Sequence, residues 1–134
     1  MMSELSACLL DINNVSRMVS RVFAKGKILL WMAVAEMQHM QMLAGLIDLL
    51  GGSVCYTAKQ AGGQPWMWTP QCLTLPDRPD EMLQADLERE IAVIDQYHAH
   101  IQMIRDDYVT AVLGRIVQDE QYHIMLLRSM MDTM

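Results

Sequence analysis

All four prolines and four of the seven glycines of this 134-residue chain fall between Gly51 and Pro79. Gly and Pro end helices, so the chain on either side of that interval is free to run in long helical segments. Hydrophobic residues make up 52% of the chain, too many for a disordered polypeptide. The length suits one domain with a sizeable core, so a single domain over 1–134 is expected. β-branched residues do not collect in alternating runs, which argues against a sandwich or barrel. The expected fold is all-α.

Apolar periodicity places the helices. Leu5, Leu9, Ile12, Val19 and Phe23 recur at helical spacings, giving a first helix over 3–24 with Ser3 as its N-cap. Lys25-Gly26-Lys27 reads as a short break, with Gly26 suited to a left-handed helix end. A second, strongly apolar helix covers 28–50 and stops at Gly51-Gly52. The third covers 80–104, after Pro76 and Pro79, and the fourth 107–131, after a tight Arg105-Asp106 link. So short a first link implies an antiparallel hairpin. The interval 51–79 is too long for an ordinary loop and reads as an irregular crossover running the length of a bundle. The topology is therefore hairpin, crossover, hairpin. Trp66, Met67 and Trp68 are expected to pack the crossover onto the bundle, a ligand-binding role for the two Trp being the alternative.

Charge and cysteine usage exclude several classes. A net charge of −6 repels phosphate backbones, so no nucleic acid partner is expected. The longest apolar run, Ile28 to Ala35, is too short to span a bilayer and ends at Glu36, so no membrane partner is expected either. Cys8, Cys55 and Cys72 form no C-x-x-C pair and read as reduced thiols of a cytoplasmic protein, with no signal-peptide pattern at the N-terminus. The 14 methionines read as core filler, a copper cluster around Met37, Met40 and Met42 being the weaker alternative.

The chemistry lies in a repeated motif. The second helix contains Glu36-Met37-Gln38-His39 and the fourth Glu120-Gln121-Tyr122-His123. Residues at i and i+3 share a helix face, so each motif aims a carboxylate and an imidazole at one point. Chance placement of six Glu and four His along the chain gives well under one such pair. Bundles that hold two metals this way take one further Glu from each of the other two helices. The first helix offers only Glu4. The third offers Glu81, Glu88 and Glu90; Glu90 lies 30 residues before Glu120, as Glu4 lies 32 before Glu36, and shares a face with Ile94 and Tyr97.

The candidate metal ligands are thus Glu4, Glu36, His39, Glu90, Glu120 and His123. Glu36 and Glu120 are expected to bridge two ions, with Glu4 and His39 completing one site and Glu90 and His123 the other. Four carboxylates and two imidazoles suit iron, and also admit manganese or zinc. Asp119 is placed to accept a hydrogen bond from His39, a position matched by Ala35 on the other motif. Tyr97 reads as a hydrogen-bond partner of a ligand carboxylate, as a residue beside bound oxygen, or as a core tyrosine with a satisfied hydroxyl. Asp11, its counterpart seven residues after Glu4, reads as a buried acid or a solvated charge; His98 and His100 read as surface or crossover contacts. Metal-free ion pairing is the structural alternative, but clustering buried carboxylates without cations is costly.

The stretch from Ala35 to Gly52 (AEMQHMQMLAGLIDLLGG), the segment Asp86-Leu87-Glu88-Arg89-Glu90 with Ile94 and Tyr97, and Asp119-Glu120-Gln121-Tyr122-His123 resemble bacterial ferritin-like proteins of the rubrerythrin–bacterioferritin group. The resemblance covers nearly the whole chain. It implies a ferritin-like four-helix bundle with a non-haem di-iron centre that reacts with hydrogen peroxide or dioxygen, as a rubrerythrin-like peroxidase or a ferroxidase. Manganese catalase-like activity is a neighbour within that class. The alternatives are a non-catalytic module that stores, carries or senses iron or another divalent metal, and a structural role with the metal as a staple. The sequence contains no rubredoxin-like segment, so the electron donor is expected to be another molecule. It has no fifth helix of the ferritin type, which argues against a large storage cage. Helices this apolar are expected to pair as a homodimer or higher homo-oligomer.

Overall fold

A computed structural model describes residues 26–55, 57–59, 65–67 and 76–133. The described chain forms three long helices, α1 (Gly26–Leu49), α2 (Pro79–Met103) and α3 (Asp107–Asp132), and two short strands, β1 (Thr57–Lys59) and β2 (Pro65–Met67). The first expected helix, over 3–24, lies outside the described residues. So do Glu4, Cys8, Asp11, Cys72 and Trp68.

The helix ends follow local chemistry. Gly51 adopts φ 77°, the left-handed conformation that glycine takes at least cost. The N–H groups of Gly52 and Gly51 return to the carbonyls of Ile47 and Asp48, at 2.8 and 2.9 Å, and close α1 with a Schellman turn. Pro79 starts α2, where its missing N–H costs nothing, and Asp80 and Glu81 face the positive end of the helix dipole. Asp106 caps α3 by accepting the Val109 N–H at 2.9 Å, an interaction worth about 1 kcal/mol.

Two expectations need correction. Gly26 and Lys27 are the first two residues of α1 rather than a break before it, and Gly26 is buried. The interval 51–79 is not wholly irregular: β1 and β2 pair antiparallel, with Ala58 opposite Trp66. In a two-stranded ribbon both strands are edges, so Pro65 at the start of β2 can leave one ladder position without a donor. The remaining helix limits differ from expectation by a single residue, as fraying ends do.

Among the described residues the core has two apolar clusters with a polar layer between them. One gathers Leu29, Met32, Met82, Leu83, Leu127 and Met130. The other gathers Leu43, Leu46, Val93, Tyr97, Leu113 and Ile116. Along α1 and α2 the chain passes from the first cluster to the second, and along α3 from the second to the first. α1 and α2 are therefore parallel and α3 antiparallel to both, which requires a connection that runs back along the bundle. Met40 and Met42 pack against the second cluster, whereas Met37 is exposed, so the three methionines do not converge. No described helix is long and apolar enough to cross a membrane.

Candidate metal centre

Each helix interrupts its apolar stripe at the same height. α1 contributes Glu36 and His39, α2 Glu90, and α3 Glu120 and His123, all buried. Helical periodicity is the cause. Glu36 and His39 continue the inward face of Leu29, Met32 and Leu43; Glu90 continues that of Leu83, Leu87 and Tyr97; Glu120 and His123 continue that of Leu113, Ile116 and Leu127. Glu81 and Glu88 are on the solvent side of α2.

The five side chains meet in one place. His123 Nδ1 lies 2.9 Å from Glu120 Oε2, 3.0 Å from Glu36 Oε1 and 3.3 Å from Glu90 Oε1. His39 Nδ1 lies 3.1 Å from Glu120 Oε1 and 3.5 Å from Glu36 Oε2. Glu36 and Glu120 thus each turn one oxygen to His39 and the other to His123. The two imidazole rings are 5.9 Å apart, centre to centre. Glu36, Glu90, Glu120 and His123 offer ligand atoms all within 4.8 Å of one another, a group that could hold a metal ion.

These contacts are close but do not satisfy the atoms that make them. Glu36 Oε1, Glu90 Oε2, Glu120 Oε2 and both Nδ1 atoms lack a hydrogen-bond partner among the described residues. Buried polar atoms are nearly always paired, and five orphans on side chains that converge in one layer are what a missing cation leaves behind. The donor set of carboxylate oxygens and imidazole nitrogens fits first-row divalent metals. The other nitrogen of His39 supports the same fit. Nε2 donates to Asp119 Oδ2 at 3.2 Å, so Nδ1 faces the interior, and a cation that displaces its proton would meet that lone pair. Asp119 is held in turn by Arg115 Nη1, 2.8 Å from its Oδ1.

Without a cation, protons occupy the cluster. Burial alone would lower the His123 imidazole, but the carboxylates of Glu120, Glu36 and Glu90 outweigh it and push it up to about 12. Glu120 and Glu36 push His39 up to about 10 against the same effect of burial. Burial works to raise Glu120, yet the two imidazolium charges hold it down at about 2. Glu90 is pushed well above the usual carboxylate range, chiefly by burial. A bound cation would take over the role of these protons, since ligand nitrogens must lose theirs to bind.

Tyr97 is fully buried in the second apolar cluster, and His98 is exposed near the end of α2. Two neighbours of the cluster escaped the sequence reading. Asp86, one turn before Glu90, is buried, and the i to i+4 spacing from Glu90 could have marked it. Trp31 meets His123 edge to face with ring centres 6.4 Å apart, and no sequence signal marks that contact.

Residues 28–134 match the family model of the ferritin-like domain, a stretch that contains α1 from Ile28 onward, all of α2 and α3, and every residue of the cluster. A comparison with curated proteins gives no match.

Proposed function

This chain belongs to the ferritin-like domain family, and from that premise we propose that its cluster holds two metal ions, iron first among them, and turns over hydrogen peroxide or dioxygen. The observation that carries the reading is the division of the two shared carboxylates. Glu36 and Glu120 each present one oxygen to His39 and one to His123, the arrangement required of residues that bridge two ions. Glu90 and His123 complete one position. His39 serves the other, and Glu4, outside the described residues, is the proposed fourth carboxylate there.

Two ferrous ions held in this way would supply two electrons, enough with two protons to turn one hydrogen peroxide into two waters. The chain supplies the rest. Before metal binds, the two imidazolium charges keep Glu120 ionised, so the carboxylate is ready to bridge when ions replace those protons. Asp119 fixes the His39 ring and its tautomer from the surface side. The apolar clusters at either end exclude water from the layer between them. The proposed activity is peroxidase or ferroxidase, in a homodimer or higher homo-oligomer of a cytoplasmic protein.

The test is elemental analysis of protein from iron-supplemented cells beside a Glu36→Ala, Glu120→Ala double variant, followed by peroxide and dioxygen consumption. We expect about two irons per wild-type chain, lost in the variant, and peroxide loss that tracks the iron. A folded wild type that takes up no ferrous iron overturns the metal reading. Full uptake without turnover of either oxidant leaves a storage or carrier module instead.

A further inference from the structure

The ligand atoms of the cluster are too buried for an electron donor to touch. Electrons that replace those consumed must therefore cross protein, and one side chain bridges the gap. Trp31 is 54% exposed, yet its ring packs edge-on against His123 at 6.4 Å. Tyr122, 45% exposed, packs edge-on against the same indole at 5.7 Å and precedes His123 in the chain. Both rings line an open cavity of about 340 Å³ together with Ile28, Leu126 and Lys27. A cavity of this size accommodates a small planar molecule. Among the described residues its walls are aromatic and aliphatic, and their single charged member is a cation on a protein of net charge −6. That chemistry selects a flat aromatic body with an anionic tail: rings for stacking, an ammonium for the tail.

We propose that this cavity is the electron entry port of the centre, binding a reduced flavin nucleotide against Trp31 and Tyr122 with its phosphate on Lys27, and that Trp31 relays the electrons to the His123 side of the cluster. The proposal rests on the redox reading above for its acceptor, but not for its binding site. The balance is simple. The dihydroflavin gives up two electrons and the protons on N1 and N5, keeps the one on N3, and becomes oxidised flavin. Each of two ferric ions gains one electron, and the protons leave through the open cavity. Trp31 is a relay and positioning residue, since it touches the donor and a ligand ring but not the metal.

Two measurements test it. The first titrates oxidised flavin mononucleotide with the protein as isolated and follows quenching of flavin fluorescence, which depends on neither iron nor turnover. Saturable quenching is expected, weakened about tenfold or more in Trp31→Leu. Lys27→Glu should weaken the nucleotide far more than it weakens lumiflavin, which has no phosphate. The second mixes oxidised, iron-loaded protein with saturating reduced flavin mononucleotide without air and follows loss of ferric absorbance. A fall of about tenfold or more in the saturating rate is expected in Trp31→Leu, with helical circular dichroism unchanged. No quenching by wild type, or equal quenching by Trp31→Leu and Lys27→Glu, overturns the binding site. Unaltered saturating rates in Trp31→Leu overturn the relay. Protein that quenches flavin but holds no iron sinks the redox reading and the relay while leaving the binding site standing.

Discussion

The two halves of the cluster carry the same Glu-x-x-His motif in different surroundings. His39 is tied outward to a polar chain, with Nε2 on Asp119 and Asp119 on Arg115, which is largely in solvent. His123 is backed by a half-exposed indole and has Glu90 as a third carboxylate at its Nδ1. Glu36 and Glu120 are common to both. A motif therefore sets which atoms converge, while neighbouring helices set how each ring is oriented, charged and connected to the surface. If two ions bind, they should bind unequally.

The asymmetry can be broken from either side. Glu90→Gln should have the largest effect, because it removes a carboxylate that faces His123 alone. We expect uptake to fall from about two ions per chain to about one, read by elemental analysis. Equal weakening of both positions would show that Glu90 serves both halves. Asp119→Ala acts on the His39 half, and loss of such a hydrogen-bond partner typically costs about 10–100-fold in metal affinity. Competition with a chelator should then show one weakened site and one unchanged.

The pH dependence follows from charge. His39 and His123 stand at about 10 and about 12 without metal, so at neutral pH both imidazoles are protonated. Ions must displace those protons, and affinity rises with pH. The expected slope is about tenfold per pH unit for each proton released, measured by chelator competition across the neutral range. A flat profile would show that the imidazoles are already neutral. Arg115→Ala should do least. Its ion pair with Asp119 is largely exposed, and such pairs contribute about 0–1 kcal/mol. Thermal denaturation should shift by a few degrees at most, and a large loss would mean that Arg115 is needed to hold Asp119 against His39.

Much of this layout is legible in the chain. The three described helices follow from apolar spacing, and their ends follow from Gly51-Gly52, Pro79 and Asp106, because capping is local chemistry. Glu90 stands apart from Glu81 and Glu88 through its shared face with Ile94 and Tyr97, and it alone of the three is buried. The β1–β2 ribbon was missed because strands of three residues are too short to show alternation.

The sequence by itself determined that Glu36 with His39, and Glu120 with His123, would each share a face with the core, because an i to i+3 spacing fixes that in any α-helix. It also determined that a long connection must separate α1 from α2. Only the tertiary structure decided that Glu36 and Glu120 divide their oxygens between the imidazoles, that His39 meets Asp119, and that Trp31 lands on His123. Those contacts depend on how far each helix is rotated and shifted against its neighbours. That is settled by the packing of whole helix faces, not by any local run of residues.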